Sequence, residues 1–207
     1  MELGAHSTAA VARAYGDLAE RYIELFGRIE AMQADSLAVI ERHLGGRAGP
    51  VLDVGCGPGH LTAHLVSIGV DAVGLDPVSA FLAHARTGDP AVRLLQGSAE
   101  RLPVTDGAFG GVLAWFSLIH LTPASLGTVL AELRRALVPG GCLVVGFFCG
   151  EIVEPFDHKV TTAYYWPVDE LSARLRGAGF GEVERLRRPA DPEQGVRASG
   201  VLVAEAG

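Results

Sequence analysis

The sequence predicts a doubly wound α/β fold: a mostly parallel sheet, helices on both faces, and a helical lead-in at the N-terminal end. Three observations predict it. After Pro50, short apolar runs alternate with stretches of helical period. Several of the runs are apolar at successive positions, as strands covered on both faces require. The first run ends in a glycine-rich turn that passes directly into a helix. At 207 residues the chain suits one domain, since domains commonly hold about 100 to 200 residues. The expectation is a single domain over 1–207, with a lead-in at 1–48 and an insertion at 150–166.

In the lead-in, Val11, Tyr15, Leu18, Tyr22, Leu25, Ile29 and Met32 recur every three or four residues, one helical stripe interrupted by Gly16 and Gly27. A second helix is expected at about 35–44, stopped by Gly45 and Gly46. Strands are expected at 51–54, 72–76, 92–96, 111–118 and 142–149, with helices at 60–68 and 77–86. Thr122 and Pro123 read as cap and first position of a helix carrying Leu126, Leu130, Leu133 and Leu137 on one face. A last helix at 167–178 precedes strands at 182–187 and 200–204, which read as a hairpin added to the parallel sheet. The total is seven strands, the last antiparallel. The 150–166 stretch interrupts the alternation with aromatic and charged residues, and long connections of this kind commonly carry function.

Composition excludes several partners. With 49% hydrophobic and 20% charged residues, the chain can bury a core and is not disordered as a whole. Seventeen basic residues face 24 acidic ones, and Lys159 is the sole lysine, so no basic tract exists to neutralise a nucleic acid or an acidic membrane surface. No apolar run reaches the roughly 18 residues of a spanning helix, and no basic, then apolar leader opens the chain. A cytoplasmic protein without membrane association is the expectation. Cys56, Cys142 and Cys149 are odd in number and lack C-x-x-C spacing, the pattern of reduced thiols rather than of a disulfide scaffold or zinc cluster.

The chemistry-bearing motif is VLDVGCGPGH, in which Gly55, Gly57 and Gly59 let a ligand approach the backbone closely. Asp76 closes the next strand 21 residues after Gly55, the interval at which a carboxylate accepts hydrogen bonds from ribose hydroxyls. Together the two features read as a nucleoside-cofactor site on a Rossmann-like sheet. Dinucleotide turns prefer a third glycine where His60 stands, so a nicotinamide cofactor fits less well.

VLDVGCGPG, GLDPVSAFLAHA, GSAERLP, LAWFSLIHL and LRRALVPGGCLVV, in this order, resemble the successive motifs of class I S-adenosylmethionine-dependent methyltransferases, in particular their small-molecule "type 11" branch. The resemblance implies S-adenosylmethionine as cofactor, S-adenosylhomocysteine as product and a small-molecule acceptor. It implies that Gly55, Cys56 and Gly57 meet the cofactor by backbone, and that Asp53 orders the turn or meets the ammonium group. Asp76 would take the ribose, Pro77 and Val78 would pack on adenine, and Ser98, Ala99 and Glu100 would lie at the ring edge. Ser98 stands where the family commonly has an acidic residue, and Gly111 where an acidic residue often enters the fourth strand. Tyr15 from the lead-in and Ala114, Trp115 and Phe116 at the end of the fourth strand complete the expected cofactor set.

Positioning is the main task in such a transfer, and a hydroxyl acceptor must also lose a proton, for which His120 is the candidate base. His120 also serves as an acceptor contact. The insertion adds Phe156, His158, Tyr164, Tyr165 and Trp166, a set suited to a flat ring, and the 188–199 loop adds Arg188 and Arg197 for a carboxylate or phosphate. These residues point to oxygen methylation of a ring-bearing, anionic metabolite. His60 and His64 lie one helical turn apart without an evident third ligand, so no metal is expected. A nicotinamide-dependent dehydrogenase and a non-catalytic binding protein on the same fold are the rival readings.

Overall fold

The computed structural model describes residues 8–207; the first seven residues of the expected lead-in lie outside it. The lead-in forms α1 (Thr8–Asp17), α2 (Ala19–Phe26), a 3-10 turn (Ile29–Ala31) and α3 (Ala34–Leu44). The first break falls at Leu18 rather than at Gly16, while Gly27 ends α2 as the glycine signal predicts. The sheet strands are β1 (Val51–Val54), β2 (Ala72–Asp76), β3 (Arg93–Gln96), β4 (Phe109–Trp115) and β5 (Leu137–Phe148). Between them lie α4 (His60–Ser67), α5 (Ser79–Gly88) and α6 (Leu126–Ala136). The chain continues through β6 (Glu154–Phe156), β7 (Ala163–Tyr165), α7 (Val168–Gly177), β8 (Phe180–Arg188) and β9 (Ser199–Ala206).

Seven strands form one sheet in the order β3-β2-β1-β4-β5-β9-β8. Pairings from β3 through β5 are parallel, and β9 runs antiparallel to both β5 and β8. The order reverses at β1, which sits between β2 and β4, and open α/β sheets place their ligand crevices at such a point. Two apolar layers cover the faces. One joins Leu52, Val112 and Leu143 to Leu126, Leu130 and Leu133 of α6 and Leu171 of α7. The other joins Val51, Leu113 and Val144 to Ile40 and Leu44 of α3 and Leu65 of α4. Each fully buried leucine contributes about 1.5 to 3 kcal/mol. A satellite cluster seats Ala12, Tyr15, Tyr22 and Ile23 of the lead-in on Val78 and Phe81, beside the crevice.

One local expectation is corrected, and one stretch gains detail. The Thr122 side chain accepts the Ser125 N–H (3.2 Å) and so orders a turn, and the α6 helix begins only at Leu126. The 150–166 insertion contains a two-stranded hairpin, β6 with β7, in which Pro155 pairs with Tyr164. Its strands are three residues each, too short for period-two alternation to reveal. Among the described residues no helix is long and apolar enough to cross a membrane.

Candidate active site

The glycine turn spends its amides on its own architecture. The N–H groups of Gly55 (2.7 Å) and Cys56 (3.1 Å) both donate to the Leu75 carbonyl, and the Gly57 N–H donates to Asp76 Oδ2 (2.9 Å). Asp76 Oδ1 accepts the Val78 N–H (2.8 Å), so this one carboxylate ties the turn to the start of α5. Asp53, fully buried beneath the turn, accepts from Thr62 Oγ1 (2.6 Å). Neither carboxylate has a cationic partner in these contacts. Burial pushes the Asp53 carboxyl up to about 7 and raises that of Asp76 as well, the latter opposed by its two backbone donors. Buried carboxylates without a counter-charge are costly, and a cationic ligand relieves that cost. A pyrophosphate would meet no free amide of 55–57 and would lie beside the Asp76 carboxylate, which weighs against the nicotinamide reading.

Beside Asp76, the Gly97 N–H donates to the Asp76 carbonyl (3.3 Å) and begins the next turn. There Ser98 Oγ accepts the Glu100 N–H (3.2 Å), Ala99 packs on the core, and Glu100 is exposed. Pro77 is half-buried and Val78 buried against Phe81.

At the end of β4 the chain does something unusual. Phe116 has φ +51°, the one non-glycine residue of positive φ among those described, and for a bulky side chain this costs about 1 to 3 kcal/mol. Such strain collects at functional sites. Its ring lies 5.3 Å from that of Trp115 and 4.9 Å from that of Phe148. The turn swings Ser117 against Gly55, where a Cβ would stand 2.4 Å from Ser117 Cβ. Position 55, at φ +70°, is therefore restricted to glycine by contact as well as by backbone. Trp115 packs on Gly146, and Ala114 is wholly enclosed in the core, paired with Val145 of β5.

His120 is buried, with both ring nitrogens engaged. Nδ1 lies 2.8 Å from the Thr162 carbonyl, which can only accept, so the proton is on Nδ1. In the neutral ring, Nε2 then accepts from the Tyr15 hydroxyl, 2.8 Å away. Burial, with Tyr22 and Asp76 nearby, raises the Tyr15 pKa and keeps the phenol protonated. One hydrogen-bonded line thus joins the lead-in, the end of β4 and the insertion.

The insertion closes over this line. Tyr164 N–H donates to the Ile119 carbonyl (2.8 Å), and the His158 ring lies 5.3 Å from that of His120. Burial pushes His158 down to about 4, with His120, Arg197 and Lys159 adding to the effect, so it is neutral at pH 7. Phe156 stacks on Tyr165 at 4.1 Å, and the Arg197 guanidinium sits 4.8 Å above Phe156 while donating to the Asp157 carbonyl. Arg197, Glu154 and Tyr165 line an open groove of about 460 Å³ between the insertion and the 190–198 loop.

Two residues expected here are elsewhere. Trp166 is 3% exposed and packs into the core beneath the insertion, because its neighbours Leu171 and Leu175 on α7 need a large apolar partner. Arg188 is drawn away from Arg197 by an ion pair with Asp35 and a 3.0 Å hydrogen bond to Ser36 Oγ on α3. His64 pairs with Glu41, and among the described residues no group of three metal-ligating side chains occurs. Sequence reasoning missed Thr62, Tyr22 and Ser117. Ser117 left a faint signal, a polar residue inside an otherwise apolar strand end.

A model of the methyltransferase domain matches residues 51–141. Malonyl-[acyl-carrier protein] O-methyltransferase of Salmonella typhimurium is 30% identical over 176 residues, covering 81% of this chain and 68% of that protein. The chain belongs to the class I S-adenosylmethionine-dependent methyltransferase family. This methyltransferase chain spans about half, 51%, of the length of three other curated relatives it matches. In fold it is similar to the Burkholderia thailandensis 1,6-didemethyltoxoflavin-N1-methyltransferase, crystallised with that compound and S-adenosylhomocysteine. The TM-score is 0.81 at 24% identity, covering 100% of this chain and 92% of the other. The [4+2]-cyclase SpnF shares the fold as well, with a TM-score of 0.78 at 19% identity, covering 100% and 99%.

Proposed function

We propose that the protein transfers the methyl group of S-adenosylmethionine to a small-molecule acceptor, at an oxygen of a ring-bearing metabolite that carries an anionic group. The observation that carries the cofactor half is the pair of buried carboxylates, Asp53 and Asp76, around a turn whose amides face inward. That surface suits a ligand with a sulfonium and an ammonium group. When bound, S-adenosylmethionine supplies an electrophilic methyl on a charged leaving group.

The chain's own residues would do the rest. Asp76 holds the ribose, Asp53 faces the ammonium end through the turn, and Val78 with Ala99 flanks the adenine. Tyr15 and the insertion exclude water. His120, fixed as the Nδ1–H tautomer by the Thr162 carbonyl, keeps its Nε2 lone pair on the site side, where the Tyr15 hydroxyl now sits. An acceptor hydroxyl that displaces this phenol would meet the base it needs, whereas a carboxylate acceptor would need none. The aromatic insertion and Arg197 support a ring with a negative group. The relatives named above act at oxygen in one case and at ring nitrogen N1 in the other, so the atom methylated rests on this site's own chemistry.

Calorimetry with S-adenosylhomocysteine and with NAD tests the cofactor, and the expected result is binding of the first alone. Transfer of labelled methyl to aromatic acids, phenols and phosphorylated rings, compared with neutral alcohols and amines, tests the acceptor. A preference for neutral aliphatic acceptors, or an unchanged KM in Arg197→Ala, would overturn the anionic-ring reading and leave the cofactor assignment intact. Cofactor binding without transfer to any acceptor class would favour a binding role.

A further inference from the structure

We infer that the Tyr15 phenol is the protein's own stand-in for the methyl acceptor: it holds the place of the acceptor's ring and hydroxyl at His120, and the acceptor enters by displacing it. The inference rests on the reading of His120 as the base and adds the acceptor's class, a phenol-like ring hydroxyl. Nδ1 faces the Thr162 carbonyl, so the one lone pair of the neutral imidazole is on Nε2, and the Tyr15 hydroxyl takes it at 2.8 Å. An acceptor hydroxyl needs that same lone pair. The occupant also has the acceptor's shape, since a tyrosine side chain is a six-membered ring with a hydroxyl at its far end. Around it, the rings of Tyr22 (5.4 Å), Phe81 (6.1 Å) and His120 (5.5 Å) stand edge-on, a box for an aromatic ring.

The box is anchored apart from its occupant. Phe81 is buried on α5, Tyr22 has its own contact with Phe81 at 5.3 Å, and the Thr162 carbonyl holds His120. The helix that carries Tyr15, in contrast, contributes no fully buried residue, and the chain breaks at exposed Leu18 between α1 and α2. Withdrawing Tyr15 therefore uncovers only half-buried side chains, Ala12 and Tyr15 itself, and leaves both core layers of the sheet intact. Such a latch lowers apparent acceptor affinity by the fraction of molecules in which the phenol has left. It also selects. A ring that carries a hydroxyl replaces the bond it breaks at Nε2, whereas a ring without one breaks that bond and returns nothing.

The test uses p-cresol, the tyrosine side chain as a free molecule, and toluene, the same ring without the hydroxyl. In titration calorimetry, Tyr15→Ala, which empties the box, is expected to bind p-cresol roughly 5- to 100-fold more tightly than the parent, which must first give up its own ring contacts and hydrogen bond. The variant should prefer p-cresol to toluene by roughly 2- to 12-fold, the range for one neutral hydrogen bond, and the preference should vanish when His120→Phe is added. A preference that survives the loss of His120 overturns the inference. Should Tyr15→Ala fail to fold, Tyr15→Phe removes the phenol oxygen alone and is expected to bind p-cresol roughly 2- to 12-fold more tightly than the parent. A side chain that merely tethers the lead-in would give no gain or a loss. If p-cresol binds parent and variants alike, the stand-in role is refuted and the reading of His120 as the base stands; if it binds none of them, the ring-hydroxyl acceptor falls as well.

Discussion

Replacing Asp76 separates its two roles. In Asp76→Ala the buried Val78 N–H loses its 2.8 Å acceptor and bears the full desolvation penalty, about 1 to 3 kcal/mol. The Gly57 N–H, 2.9 Å from the other oxygen, is half-buried and can turn to water, adding about 1 kcal/mol. Burial raises the carboxyl's pKa, so deleting the charge returns part of this cost. The net is about 2 to 3 kcal/mol, and at roughly 2 to 4 °C per kcal/mol for a domain of this size the ligand-free Tm falls by about 4 to 12 °C. Asp76→Asn keeps one oxygen for one of the two amides and should fall between parent and alanine variant. Both should also lose affinity for S-adenosylhomocysteine, roughly 10- to 150-fold for Asp76→Ala. Differential scanning calorimetry and titration calorimetry read the two effects separately. An alanine variant melting within about 1 °C of the parent refutes the turn-tying role; one that melts lower but binds as tightly refutes the ribose contact.

Three further outcomes are expected. Asp53 is held near 7, above its unfolded value of about 3.9, so the folded state binds an extra proton between these values. Ligand-free stability should therefore decline as pH rises from about 4 to 7 and level off above, and Asp53→Asn should flatten that segment of the Tm profile; an unaltered slope contradicts the burial argument. In Tyr15→Phe, His120 loses its 2.8 Å donor, and hydrogen exchange should quicken in α1 and α2 while the sheet stays protected; equal protection would show that the phenol tethers nothing. Gly55→Ala combines φ +70° with a 2.4 Å contact to Ser117 Cβ and should cost about 2 to 4 kcal/mol, of which Ser117→Gly, by removing the contact alone, should restore only part; a parent-like Tm in Gly55→Ala contradicts the argument.

The sheet was legible because its signals are local. Val51–Val54 and Ala72–Asp76 coincide with the expected strands, since short, mostly apolar runs ended by glycine or aspartate, the first interrupted by Asp53 alone, have few other readings. In the proposed site, the residues with a signal in the sequence are those that backbone chemistry dictates, as at Gly55 and Asp76. What escaped depends on contacts between residues far apart in the chain. Nothing near Tyr15 announces a bond to His120, 105 residues away, and nothing near Arg188 announces Asp35, 153 away. Trp166 was misassigned for the same reason: its composition suits a ring-binding loop, and only the packing of α7 makes it core. The positive φ of Phe116 has no sequence signal, because left-handed turns are ordinarily marked by glycine or asparagine.

The position of β9 bears on how the chain reaches its folded form. The last strand in chain order occupies an interior slot, hydrogen-bonded to β5 on one side and β8 on the other, and is buried along nearly its whole length. During synthesis, therefore, β5 emerges and waits with an open, apolar edge while about 50 more residues are added, and β8 has no place in the sheet until its hairpin partner arrives. A half-made chain exposes Val144 and Val145 on an unpaired strand edge, the kind of surface that other nascent chains can join. Completion then closes two strand pairings at once. This architecture leaves the β5 edge unpaired until residue 206 has been added, and it makes β9 the strand whose loss would unpair both β5 and β8.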